Sequence, residues 1–226
     1  MGIGSSISKR ITPKITQAAP NLTSGFVREA LKRAVDGIGP LPSAEATAKA
    51  RLEKADGDVD KAIRDVIEWH AAYAGAEGFV TNLGGLVTAA ASMPANITGL
   101  ALIQCRMVAV IAHLRGYDLH DDRVRNAILA CALGEDSVKK LVKKKQLPAP
   151  PMALATAPVN DPALDKAIAA EVANSLIGKV AGKRLATTIG RRVPVVGGVV
   201  GLSADAWSTW QIGRYAGREL LPRTRR

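Results

Sequence analysis

The chain has 226 residues, 47% of them hydrophobic, which excludes an extended disordered polymer and suits one domain with a real core. Two cysteines, Cys105 and Cys131, sit in apolar stretches with no Cys/His ligand spacing, which excludes a disulfide scaffold and a structural zinc site and leaves them as small buried hydrophobes. The formal net charge of +11 is one-sided: residues 1–122 balance, and residues 123–226 hold the whole excess, which points to an anionic partner.

Residues 1–22 read as a loose tail containing Pro13 and Pro20. The stretch MGIGSSISKRITPK lacks the apolar run of a secretory leader. Gly2 and Ser6 match a myristoylation pattern, which matters only where the acylating enzyme acts. A single α-helical domain is predicted over 23–222, followed by a basic tail at 223–226. Thr23 or Ser24 caps a first helix that ends at Asp36, before Gly37. Ser43 caps a second, SAEATAKARLEKA, stopped near Gly57. Asp58 caps a third, in which Val59, Ile63, Val66 and Ile67 follow helical spacing.

The corner ARLEKADGDVDKAIRDVI resembles two consecutive helices of a ubiquitin-associated-type fold through Leu52, Gly57, Asp58, Val59, Ala62 and Ile63. Any helix–Gly-Asp–helix corner needs the same parts, so no ubiquitin binding is carried over.

The central question is the run from Leu83 to Leu114, LGGLVTAAASMPANITGLALIQCRMVAVIAHL. It is either a membrane span or the buried centre of a helical domain. A span needs about 20 apolar residues. Pro94 divides the run into pieces that fall short of this, and Asn96, Gln104 and Arg106 interrupt the second piece. Its apolar face is Leu100, Ile103, Met107, Val110, Ile111 and Leu114, with Arg106 and His113 on another stripe. A buried helix with one polar seam is predicted.

After Gly116 comes a polar turn, Asp118 to Asp122, then helices at 121–133 and 136–145. Residues 146–160 hold four prolines and form either a surface linker or an extended strap. A helix from Asp161 to about Val180, a basic joint from Lys183 to Arg192 and a long helix from about Val195 to Leu220 complete the chain. The last helix carries a small-residue stripe, Gly197, Gly201, Ala204, Asp205 and Ser208, extended by Gly213 and Gly217. Gly84 and Gly85, with Gly197 and Gly201, are the expected helix-packing glycines. Trp207 and Trp210 point elsewhere, with Arg214 one turn beyond, either as a cation–π pair or as a Trp/Arg edge at a membrane interface. No strand-like alternation of useful length occurs. The predicted fold class is therefore all-α, a compact multi-helix bundle with Gly-rich apolar central helices.

Arg106 and Asp205 are the charges deepest in apolar sequence, and pairing them in a buried polar centre avoids isolated buried charge. Asp118, His120 and Asp122 form the one cluster of ligand-type side chains, and capping of the next helix by Asp121 or Asp122 accounts for it better than a metal does. No P-loop, nucleophile elbow or HExxH motif is present, so no cofactor and no reaction are predicted.

The run GFVTNLGGLVTAAASMPANITGLALIQCRMVAVIAHLRGYDL resembles the centre of the EcsC protein family: a Gly-Gly helix, a proline-led helix and a closing turn, here Arg115-Gly116-Tyr117-Asp118. The segment VPVVGGVVGLSADAWSTWQIGRYA resembles the same family's C-terminal region. Together these cover about 78–134 and 176–217. Asp205 stands where asparagine is expected, and Ser92 where an acidic residue is. The family is named for a protein encoded beside an ABC transporter, so the resemblance implies a fold and a membrane-related context, without a reaction.

The basic clusters are Lys139, Lys140, Lys143, Lys144 and Lys145, then Lys183, Arg184, Arg191 and Arg192. They predict a non-enzymatic cytoplasmic protein that docks peripherally on an anionic membrane or on a membrane-protein (transporter) partner through its basic C-terminal half, with lipid as a candidate ligand. Two alternatives remain: a pore-forming or inserting protein, and a nucleic-acid binder, for which KKLVKKK lacks aromatic residues to stack on bases.

Overall fold

A computed structural model describes residues 20–39, 41–75, 95–174 and 196–223. Among the described residues the regular elements are all α-helices, with one isolated bridge between Ile38 and Leu41. The all-α class expected from the sequence is the class observed. In chain order the helices are α1 (Pro20–Asp36), α2 (Ala44–Lys54), α3 (Val59–Gly75), α4 (Ala95–Leu114), α5 (Asp122–Leu133), α6 (Glu135–Lys143), α7 (Pro151–Ala155), α8 (162–174) and α9 (Val196–Glu219).

Local chemistry sets most of these boundaries. The Ser43 hydroxyl accepts from Ala46 N at 3.1 Å and starts α2. Asp58 accepts from Lys61 N at 2.9 Å and starts α3. Asp121, rather than Asp122, caps α5, accepting from Arg123 N at 2.9 Å. α1 begins at Pro20, three residues before the expected cap, because proline presets the helical φ and lacks only an N–H that the first turn leaves unused. α2 ends in a Schellman motif whose left-handed residue is Asp56 (φ 56°), and Gly57 N donates back to Leu52 O. α6 ends at Lys143, two residues earlier than expected, in the same way: Lys145 takes φ 57° and Gln146 N donates to Leu141 O.

α4 is the centre of the fold, packed by α1, α2, α3, α5 and α9. Every residue from Ala101 to Ala112 is buried, so this helix has no solvent face along that length. Leu102, Met107, Val108, Val110 and Ile111 are fully enclosed, each contributing roughly 1.5–3 kcal/mol relative to exposure. No helix among the described residues is long and apolar enough to cross a membrane. The first half of the apolar run, with Gly84 and Gly85, lies outside the described residues.

α9 lies antiparallel to α3, since Gly213 meets Ile67 while Gly217 meets Ile63. Gly213 is the point of closest approach: a Cβ there would stand 2.8 Å from Ile67 Cγ1 and 2.9 Å from Met107 Sδ. The observed packing glycines are thus Gly213 and Gly217. The packing around Gly197 and Gly201 is not among the described features. The segment 146–160 crosses α5, where α7 seats Pro151, Leu154 and Ala155 in the core and Leu147 is buried ahead of it. The turn Arg115–Asp118 receives the end of the chain: Arg223 N donates to Arg115 O at 2.8 Å, and Gly116 (φ 88°) leaves room for the Arg223 carbonyl.

Candidate docking surface

The buried polar centre differs from the pair expected. Arg106, 4% exposed, donates from Nη2 to Thr47 Oγ1 at 2.7 Å and from Nη1 to Ala34 O at 3.3 Å. Among the described residues no ion pair joins it to a carboxylate, Asp205 included. The reason is helix geometry. Gln104 is the polar residue that α4 turns toward α9, donating from Nε2 to Ser208 Oγ and Thr209 Oγ1, each at 3.2 Å. Arg106 follows two residues later, about 200° round the helix, and so faces α1 and α2. Ala34 lies in the last turn of α1, where the carbonyl ends carry partial negative charge and stand in for a counter-ion. Burial lowers the guanidinium to about 10, which leaves it charged at neutral pH.

His70 of α3 lies close by. Its Nδ1 is 2.7 Å from Val66 O, the geometry of a donor to that carbonyl, and its Nε2 is buried without a hydrogen-bond partner among the described residues. Burial first, then the charges of Arg106 and Arg51, pushes its pKa down to about 4 against a favourable bond to Val66. Around neutral pH it is an uncharged core residue.

The candidate ligand cluster is dispersed into local roles. Asp118 Oδ1 accepts from His120 N at 2.8 Å, Asp122 faces Arg125 at 3.9 Å, and the His120 ring turns to Glu45 of α2, also at 3.9 Å. Among the described residues no group of three or more His, Cys, Asp or Glu side chains is placed to hold a metal ion. A cleft of about 400 Å³ between α1, α5 and α8 is lined by Arg28, Lys32, Arg125, Asp122 and Asp165. Its charges are mixed, with Arg28 3.8 Å from Asp165 and Arg125 3.9 Å from Asp122, so it favours neither sign of ligand.

The lysine cluster has a defined shape. α6 buries Val138 and Leu141 and turns Lys139, Lys140 and Lys143 to solvent, with Lys144 and Lys145 exposed just beyond its end. Lys139 is held by Glu135, Nζ to Oε1 at 2.7 Å. None of Lys140, Lys143, Lys144 and Lys145 pairs with a carboxylate among the described residues. Glu135 also receives Arg218 of α9 at 2.5 Å, so one carboxylate joins α6 to the outer face of α9. Lys139 first, then Arg218, holds that carboxyl below its ordinary value. Lys183, Arg184, Arg191 and Arg192 lie outside the described residues.

On the outer face of α9, Trp207 stacks on Trp210 with centroids 5.0 Å apart and planes at 18°. The Arg214 guanidinium lies 5.3 Å from the Trp210 ring, so the cation–π option is realised. A second aromatic stack on α3, Trp69 on Tyr73 with Arg51 over Trp69, was not singled out in the sequence. Its i,i+4 spacing on an outward face was the signal.

A helical bundle wound on one enclosed helix, with a row of lysines along one edge that meets no carboxylate among the described residues, is the class of protein the geometry defines. The chain matches the EcsC protein family over residues 2–224 and belongs to it. The match extends well beyond the two stretches that carry the motifs. Comparisons with curated proteins and with solved structures each return no match.

Proposed function

We propose that this EcsC-family chain is a non-enzymatic protein that docks peripherally on an anionic membrane surface through α6 and the adjoining basic residues. The observation that carries this reading is the row Lys140, Lys143, Lys144 and Lys145, solvent-facing and without carboxylate partners among the described residues. Lysines so placed near an anionic bilayer contribute roughly 1 kcal/mol each. Val138 and Leu141 fix α6 to the core, so the row is presented on a rigid element. A membrane protein with an acidic cytoplasmic face would meet the same row by the same electrostatics. Lys183, Arg184, Arg191 and Arg192 add cationic residues to this half of the chain.

The test is flotation with vesicles of phosphatidylcholine alone and of phosphatidylcholine mixed with phosphatidylglycerol, at low and high salt. Co-flotation only with the anionic mixture, weakened by salt, is the expected result. Retention of duplex DNA with no flotation would replace this reading with the nucleic-acid one. Release of a trapped dye would replace it with insertion.

A further inference from the structure

We infer that the outer stripe of α9, running from Trp207 through Trp210 and Arg214 to Arg218, enters the interfacial layer of an anionic bilayer; this rests on the docking reading above and adds an anchor and an orientation to it. Residues three, seven and eleven positions after Trp207 return to the same side of an α-helix. The intervening Gln211 is exposed, as are Arg214 and Arg218, so the stripe is an outward face over about 16 Å. Trp207 is 58% exposed, the larger exposure of the two exposed tryptophans. Its indole gains nothing from the core. It stacks on Trp210, which is itself packed against the core and carries the Arg214 guanidinium over its ring.

Tryptophan concentrates at the headgroup level of bilayers, where an apolar ring and a polar edge are both accommodated. Arginine beside it meets phosphate while its stem covers apolar surface. The stripe is continuous with the lysine row, because Arg218 and Lys139 share Glu135. Aromatic anchor and cationic row therefore belong to one face. Trp69 is an internal control. It is 40% exposed, but Arg51 covers its ring while pairing with Asp65 of α3, so that surface is closed by its own ion pair.

The chain contains three tryptophans, so each can be read alone. The Trp69→Phe/Trp210→Phe variant reports Trp207, and the Trp207→Phe/Trp210→Phe variant reports Trp69. Each is mixed with phosphatidylglycerol-containing vesicles, with and without brominated acyl chains. Trp207 emission is expected to move to shorter wavelength and to be quenched by bromine, with Trp69 emission unchanged. Trp207→Ser is expected to lower partitioning onto the same vesicles roughly tenfold. Should a double variant fail to fold, bromine quenching of the native chain minus that of Trp207→Phe gives the same comparison. Flotation with Trp207 emission unchanged overturns the anchor and leaves the docking reading standing. Absence of flotation overturns both.

Discussion

Arg106 donates to the Thr47 hydroxyl at 2.7 Å, and Thr47 in turn donates to Ser43 O at 2.9 Å, so the most buried cation among the described residues is tied to the start of α2. A charge-assisted hydrogen bond of this kind contributes roughly 1.5–3 kcal/mol. The variants Arg106→Met and Thr47→Val should therefore couple by about 1 kcal/mol or more in a double-mutant cycle read by urea unfolding. Arg106→Met and Asp205→Leu should add within about 0.5 kcal/mol. Coupling to Asp205 and additivity with Thr47 would reverse this assignment.

His70 makes the fold sensitive to mild acid. Its folded pKa of about 4 lies below the ordinary 6.5 because the ring is buried and near Arg106 and Arg51. Above 6.5 both folded and unfolded chains hold the neutral ring. Between 6.5 and 4 the unfolded chain takes up a proton that the folded chain refuses, so stability falls as pH falls. By pH 5 the loss is on the order of 2 kcal/mol. His70→Leu should remove this part of the pH dependence. Urea unfolding of both chains at pH 7 and pH 5 checks it, and equal losses would show that His70 does not titrate as described.

Gly213 and Gly217 should respond differently to alanine. Both gain about 1 kcal/mol of helix propensity from the substitution. At Gly213 the new methyl would press on Ile67 and Met107 at under 3 Å, and overpacking of this kind costs about 1–3 kcal/mol. At Gly217 it would meet Ile63 Cγ2 at 3.5 Å, an ordinary contact. Gly217→Ala should raise the melting temperature and Gly213→Ala should lower it relative to that variant. Equal shifts would mean that α9 does not approach α3 closest at Gly213.

Much of this architecture is written in short-range signals. Ser43, Asp58 and Asp121 each act within three residues of themselves, which is why their helices were legible. The enclosed helix was legible because Pro94 shortens the apolar run and Arg106 and Gln104 make a span costly. The partner of Arg106 was not, because Thr47 and Ala34 come to it from 59 and 72 residues away. Asp205 lies as deep in apolar sequence as Arg106 does, but the hydrogen-bonding residue that α4 aims at α9 is Gln104. The Glu135 bridge was hidden for the same reason: it spans 83 residues to Arg218 and turns two separate basic segments into one face. The left-handed cap at Lys145 ends α6 two residues before the expected boundary, since lysine does not advertise that conformation as glycine does.

The lysine row of α6 carries the functional reading, and neutralising it is the most direct test. Lys140→Gln/Lys143→Gln/Lys144→Gln removes three exposed cations while leaving Val138 and Leu141 in place, so urea unfolding should match that of the native chain. Affinity for phosphatidylglycerol-containing vesicles, measured by flotation at low salt, should fall roughly a hundredfold. A variant that binds these vesicles as tightly as the native chain would contradict docking through α6.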